Sequence, residues 1–409
     1  MIADQKMTRW SHLGFTLFLF FSSELILFTK SAYASEPRTP NNGSEILENL
    51  SATSNQQSNK LKTLRKNLET SPNNLDLASQ LAKAYIGIAR ENTDVRYYGY
   101  AQAVLKPWWE KQNPPVEALL LRATLNQQRH QYTKAIDDLK LLLKRQPRHA
   151  QAWLTLSIIQ QVQGNYQSAR ASCSALSRVS SIWLSNLCHS QVLGYTGSTE
   201  RAYKMQQALA LQLKTSRPDL LQWILGISAE TALRMGKKKQ AEINFEKALK
   251  LPLRDAYLLR IYSDYLLEEN REAVVLKLLK DEEKDSALLL RMAIAAKRAN
   301  QKQLMSDYQK LLESRFKAAR LRGSNLHERD EALYLLEFAG DLKKALKLAR
   351  NNWNVQKEPD DALILLRAAL ASHSETDVQT IRNWIAQTQL QDFRIQKLLD
   401  KPETGATDV

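Results

Sequence analysis

The stretch Tyr132-Thr133-Lys134-Ala135 returns 34 residues later as Tyr166-Gln167-Ser168-Ala169, and that echo decides how the chain reads. Outward from Ala135, Leu119, Ala123, Leu139, Leu142 and Pro147 fall at one set of offsets. Trp153, Leu156, Gly164, Cys173 and Leu176 fall at nearly the same offsets one period on. Small residues stand where two helices cross, and large ones fill the gaps beside them. A fixed period of this length marks a helical hairpin repeat rather than a catalytic domain.

One hairpin cannot bury its own apolar stripe, so such units stack and share a continuous core. Further units read around Leu81-Ala82-Lys83-Ala84-Tyr85 with Ala101, from Leu187 to Ala202 with Gly197, and from Tyr257 to Leu279, where Tyr262-Ser263-Asp264-Tyr265-Leu266-Leu267 is a first helix. The pattern is clearest over residues 71–298, and the repeat region is assigned to 61–298. Over 299–400 the composition stays helical while the signature fades into degenerate helical repeats or a cap, with Asp341–Ala349 and Asp360–Ala371 as a degenerate pair. Only 12 glycines and 11 prolines occur in 409 residues, and Leu, Ala, Lys, Gln and Arg, all good helix formers, dominate.

The segment Arg234-Met235-Gly236-Lys237-Lys238-Lys239-Gln240-Ala241-Glu242-Ile243-Asn244-Phe245-Glu246-Lys247-Ala248-Leu249-Lys250-Leu251-Pro252 carries the signature most fully, at Gly236, Ala241, Phe245, Ala248 and Pro252. In these residues the chain resembles the tetratricopeptide repeat (TPR) family. The resemblance implies an all-α, right-handed superhelical solenoid of antiparallel helix hairpins that binds a peptide or protein segment on its concave surface. The offsets that line this surface in TPR proteins fall on Gln127, Leu154, Ile158, Gln161, Gln191, Tyr195, Trp223, Glu230, Tyr257, Arg260 and Asp264. They lack the repeated Lys/Asn pattern with which some relatives clamp a C-terminal carboxylate. Two further stretches, Tyr97 to Trp109 and Asn352 to Pro359, together with Asp255-Ala256-Tyr257-Leu258-Leu259, resemble exported bacterial TPR proteins. That likeness implies fold and compartment only.

Export also reads from the N-terminus. Lys6 and Arg9 precede an apolar run from Leu13 to Phe28, and Ala32-Tyr33-Ala34 has the small residues a signal peptidase reads. Residues 1–34 are expected to be a signal peptide cleaved after Ala34. An uncleaved anchor is the alternative, but Glu24 is costly at bilayer depth and the run is short of the roughly 20 apolar residues of a stable span. The expected product is a soluble periplasmic chain with a flexible lead-in over 35–60 and a frayed tail over 401–409. The only cysteines are Cys173 and Cys188. In the TPR architecture they fall on antiparallel neighbouring helices either side of a turn near Ser180. An oxidising compartment then implies a disulfide, the alternative being two buried thiols acting as small apolar residues.

The formal charge is +15, and loss of the signal segment lowers it by one. The basic residues are spread along the chain, with clusters at Lys237-Lys238-Lys239, at Arg315, Lys317, Arg320 and Arg322, and at Lys343, Lys344, Lys347 and Arg350. They read as solvated outer helix faces, and with no nucleic-acid module present a nucleic-acid partner is not expected. His327-Glu328-Arg329-Asp330-Glu331 approaches a zinc-protease helix, but Glu331 replaces the second histidine, so the segment reads as a helix start and no metal is assigned. No nucleophile elbow, phosphate loop or dinucleotide turn occurs. Trp108-Trp109, Trp153, Trp183, Trp223, Trp353 and Trp384 could stack a ligand, although Trp153 falls at a core-facing offset.

These readings predict a non-catalytic scaffold of the bacterial cell envelope, without cofactor, holding a protein or peptide partner. Two alternatives belong to other classes. One is a peptidoglycan-associated helical module shaped like the superhelical part of lytic transglycosylases. The other is a metal-handling accessory protein using His327 and Glu331.

Overall fold

The structure, a computed structural model, describes residues 55–91, 94–213, 217–321 and 328–400. The expected signal segment, residues 35–54 of the lead-in, His327 and the C-terminal tail lie outside the described residues. Twenty-one α-helices and no strand occur among the described residues. An N-terminal group comprises α1 (Asn55–Thr70), α2 (Leu75–Glu91), α3 (Arg96–Val104) and α4 (Lys106–Trp109). Helix α1 begins inside the stretch expected as lead-in, because Leu61 and Leu64 are buried in the same small core as Leu81, Tyr85 and Tyr97.

Eight helix hairpins follow: α5 (Val116–Gln128) with α6 (Tyr132–Arg145), α7 (Ala150–Val162) with α8 (Tyr166–Ser177), α9 (Ile182–Tyr195) with α10 (Thr199–Leu213), and α11 (Pro218–Arg234) with α12 (Lys238–Leu249). The remaining four are α13 (Ala256–Glu268) with α14 (Glu272–Leu278), α15 (Ser286–Arg298) with α16 (Lys302–Leu321), α17 (Glu328–Tyr334) with α18 (Leu342–Val355), and α19 (Pro359–Ala371) with α20 (Glu375–Thr388). A last short helix, α21 (Phe393–Leu399), ends the described chain.

One backbone feature marks every hairpin. The residue that breaks the first helix is left-handed at His130, Gly164, Gly197, Gly236, Asn270, Asn300, Gly340 and His373. A residue in this conformation satisfies the last carbonyls of a helix and turns the chain sharply. Glycine adopts it without steric cost, and Asn and His tolerate it better than most. The series continues at near-regular spacing through Asn300, Gly340 and His373, so the C-terminal units are built as the earlier ones are. The first helix of the seventh unit ends in a π-helical turn, Leu335–Ala339.

The small residues read as helix-crossing positions are sealed: Ala123, Ala135, Ala169, Ala202 and Ala241 are inaccessible to solvent. Leu119, Leu139, Leu142, Leu176 and Phe245 fill the spaces beside them in one continuous core that runs from the first hairpin to Ile395. Trp153 differs from its core-facing expectation. It is half-buried, and its indole N–H donates to the Pro147 carbonyl.

Most clustered basic residues are exposed as expected of outer helix faces, among them Lys238, Lys239, Lys317, Arg320, Lys343, Lys347 and Arg350, but six arginines differ. Arg90, Arg234, Arg260, Arg291, Arg315 and Arg329 are all buried. Arg315, from one of the basic clusters, donates to the Glu283 and Lys284 carbonyls and to Ser286 Oγ.

Cys173 on α8 and Cys188 on α9 form a disulfide, with Cα atoms 5.6 Å apart. The buried Ser157 Oγ lies 3.1 Å from each sulfur. The bond closes a loop of sequence separation 15, and restricting an unfolded loop of that size stabilises the native state by about 3 kcal/mol. Replacing both cysteines with alanine is therefore expected to lower unfolding free energy by about 2–4 kcal/mol, read as a lower urea midpoint than that of the oxidised parent.

Candidate functional site

Helices α7, α9, α11 and α13, each the first of its hairpin, supply neighbouring side chains to one surface. Seven of the eleven expected surface residues meet there around one small cavity: Ile158, Gln161, Gln191, Tyr195, Trp223, Glu230 and Tyr257. Arg260 and Asp264 belong to an adjoining ion-pair lattice. Gln127 and Leu154 are buried in the packing of α5 and α7 and do not line the cavity.

The surface is not open. The chain's own C-terminal hairpins fold back across it, and Glu358 completes the cavity wall. Gln356 and Glu358 have extended backbone between α18 and α19, and this short run is held through main-chain atoms. Lys357 N–H donates to the Val162 carbonyl at 2.7 Å, and its own carbonyl accepts from Tyr166 Oη at 3.3 Å. Gln356 Nε2 donates to Tyr132 Oη at 2.9 Å. The left-handed glycines serve this contact as well as the turns. A Cβ on Gly164 would stand 3.3 Å from Lys357, one on Gly197 3.1 Å from Gln389, and one on Gly236 3.1 Å from the Phe393 ring.

Beside the cavity, charges alternate in a partly buried lattice whose arginines Arg260, Arg291 and Arg329 are buried. Arg291 donates through Nε and Nη2 to both oxygens of Asp264 and through Nη1 to Asp330 at 2.7 Å. Arg260 pairs with Asp264 and Asp360, each at 3.3 Å. Arg394 bridges Asp360 and Asp392, and Arg329 faces Asp361 at 3.4 Å. Asp361 also accepts from Asn352 Nδ2 and from the Glu358 N–H, which starts α19 ahead of Pro359.

This crowding separates the carboxyls by pKa. Burial would raise Asp330, but the Arg291 and Arg329 guanidiniums overcome it and hold the group at about 2. Asp360, between Arg394 and Arg260, is likewise depressed against burial. On the cavity side the result is opposite: burial, then the neighbouring Asp361 carboxylate, pushes Glu358 up to about 8. Burial also raises Glu230, which accepts from Tyr257 Oη. The Tyr195 and Tyr257 phenols lie well above their usual range, mainly through burial. Arg234 and Arg260 lie over those two rings, 4.8 and 4.9 Å from their centroids.

Glu358 sets a testable pH dependence. Its folded value of about 8 stands above the roughly 4.3 of an unfolded glutamate. Between those values only the folded state holds the proton, so this group's contribution to stability falls as pH rises from about 4 to 8. Glu358→Gln, which keeps the neutral shape, is expected to match the parent at pH 5 and to melt several degrees higher at pH 9. Thermal unfolding at the two pH values checks this.

Sequence reasoning missed Glu358, Asp360, Asp361, Tyr132 and Tyr166 as parts of this site. Asp360 was visible only as the start of the degenerate unit Asp360–Ala371. The nearest available signal was Glu358-Pro359, an acidic residue before proline at a helix start. Glu331, of the metal-handling alternative, is engaged by Arg320 and Lys344, and no group of three or more potential metal ligands occurs among the described residues.

No protein-family model matches the chain, and no curated protein matches it. Among solved structures it is similar to a tetratricopeptide repeat protein from Parabacteroides merdae, at 18% identity over 63% of this chain and 92% of that one, with a TM-score of 0.41. It is also similar to a thermophilic TPR protein of Thermus thermophilus, at 21% identity over 46% of this chain and 97% of that one, with a TM-score of 0.38. Its eight stacked hairpins, each broken by a left-handed residue and joined through one core, make this chain an all-α, TPR-like helical-repeat protein.

Proposed function

We propose that the chain is a non-catalytic protein-binding scaffold of the cell envelope, and that it takes an extended partner segment along the track now held by Gln356–Glu358. The observation that carries this reading is the grip on that run: the Val162 carbonyl and Tyr166 hydroxyl engage the main chain of Lys357. Contacts to main chain accept many sequences, as a peptide site requires. The buried disulfide supports an oxidising compartment, as does the signal-like N-terminal run. No helix among the described residues is long and apolar enough to cross a membrane.

The test is affinity capture of the tagged, exported chain from its native envelope after light crosslinking. The parent is compared with Gln356→Ala/Asp360→Asn, which loosens the resident segment and leaves the track intact. Releasing a competitor held in the same molecule raises apparent affinity by the fraction of track it frees. A partner should therefore be enriched about fivefold or more by the loosened variant, and lost again when Tyr132→Phe and Tyr166→Phe are added. Equal capture by all three places the contact away from this face. No captured protein at all sinks the scaffold reading.

A further inference from the structure

The stacked hairpins have two edges, because short connections make every first helix run one way and every second helix the other. One edge gathers the left-handed breakers within hairpins. The other gathers the connections between hairpins, among them 146–149, 178–181 and 250–255, with the last turns of the second helices. The three most exposed large apolar side chains among the described residues, Ile182 at 66%, Leu211 at 75% and Leu321 at 80%, all stand on this second edge. Ile182 opens α9, Leu211 lies in the last turn of α10 and Leu321 ends α16. Leu253, 40% exposed, joins them from the connection before α13. Trp153 and Trp183 lie half-buried in the first turns of α7 and α9, beside the same connections.

The charge of this edge is one-sided. From α6 to α13 the described residues of its connections include Arg148, Arg178, Arg217, Lys250 and Arg254 against one carboxylate, Asp255, which is buried as the N-cap of α13. Arg217 and Arg254 are paired with Asp219 and Glu282. Arg148, Arg178 and Lys250, with Lys144 and Lys247 from the last turns of α6 and α12, are exposed and have no ion-pair partner among the described residues. Glu246, in the last turn of α12, is the exposed carboxylate among them. Helix C-termini favour cations, which accounts for the lysines but not for the isoleucine and leucines beside them. On the opposite edge the lysines Lys237 and Lys238 are paired, with Glu200 and Glu269.

We propose that this edge is a docking surface for an anionic phospholipid bilayer, with Ile182, Leu211 and Leu253 entering the headgroup layer and the surrounding cations held against lipid phosphates. A protein partner is gripped through a closely packed, shape-matched apolar centre, whereas these side chains stand singly on successive hairpins. A fluid bilayer takes them one at a time, and half-buried tryptophans suit its interface. Each Lys or Arg near an anionic leaflet adds attraction. The combination of apolar anchors and a basic border is that of a helix lying in the interface plane, spread here along the edge of a solenoid. The inference is independent of the partner track, whose contacts at Tyr132, Val162 and Tyr166 lie by the opposite edge.

The experiment is co-sedimentation of the exported, oxidised chain with vesicles of phosphatidylglycerol and phosphatidylcholine, and with vesicles of phosphatidylcholine alone, at low and high salt. The expected result is partitioning about tenfold or more stronger onto the anionic vesicles, weakened by salt. Ile182→Ser/Leu211→Ser/Leu253→Ser should lower it about tenfold or more. Arg148→Gln/Arg178→Gln/Lys250→Gln should remove the preference for anionic lipid. Ile243→Ser, a half-exposed residue in the middle of α12, should bind as the parent does. Every altered side chain is exposed, so thermal unfolding should match the parent and confirm that each variant is folded. A retained signal segment would act equally in all of them, so binding kept in both triple variants overturns the proposal. Equal binding to the two kinds of vesicle, no binding to either, or an equal loss in Ile243→Ser overturns it as well. A vesicle-free chain that sediments as a dimer, and as a monomer in the apolar variant, identifies a second copy as the occupant and overturns it too.

Discussion

Asp330→Ala is expected to lower the unfolding free energy by about 3–5 kcal/mol, because it leaves buried guanidinium charge without its counter-ion. Arg291 and Asp330 have side chains only 3% and 4% exposed and meet at 2.7 Å. Arg291 retains Asp264 in the variant, but it loses its Asp330 contact, and Arg329 loses the counter-charge that Asp330 supplied. Replacing the pair together, Arg291→Met with Asp330→Leu, should recover much of the loss. Two desolvation penalties disappear with the pair, and Asp264 keeps Arg260. Urea unfolding with unchanged slope reads both effects. A loss below about 1 kcal/mol for Asp330→Ala would place the pair in the class of exposed ion pairs.

The same carboxylate fixes an acid limb. Its folded pKa of about 2 lies below the roughly 3.9 of an unfolded aspartate. Its contribution is therefore complete above about pH 4 and is lost as pH falls towards 2. The limb runs opposite to that of Glu358, so the two groups together favour mildly acidic conditions. Asp330→Asn should flatten the acid limb and leave the alkaline one in place.

Trp223→Ala is the second large expected loss, about 3–5 kcal/mol for truncation of a buried tryptophan. Trp223 sits in the second turn of α11 at 1% exposure and is among the largest fully buried side chains. It separates the repeat core from the cavity, so its removal would join the two spaces instead of leaving a sealed void. Trp223→Phe should cost less than half as much, since more of the volume is kept. Urea midpoints of the two variants decide, and near-equal losses would show that the indole N–H, not the volume, matters. Trp223 and Arg260 are thus structural residues, and alanine at either reports on folding before it reports on binding.

Much of the architecture was legible because a repeat writes its packing into a short period. Ala135 and Ala169 stand one period apart for the same reason: two helices cross at each, and a larger side chain would force them apart. The disulfide followed from that architecture, since the two cysteines lie either side of one turn. The later units were harder to read. Their left-handed breakers include Asn300 and His373, which carry no glycine signature, and the first helix of the seventh unit ends in a π-helical turn. Seven of the surface offsets converged on one cavity because all follow one helical register, fixed locally by the hairpins.

What the period could not supply was the closing of the solenoid on itself. Glu358 lies 197 positions along the chain from Gln161, and no local pattern connects them. Buried arginines were equally silent, because Arg260, Arg291 and Arg329 occur among charges whose spacing is that of solvated helix faces. Sequence alone determined the hairpins, their small-residue crossings and the inward face, all consequences of contacts within one or two periods. Only the tertiary structure decided that this face is covered by the chain's own C-terminal units and backed by a lattice of ion pairs. That outcome depends on the summed rotation of eight hairpins, where a few degrees at each interface determine whether the ends meet.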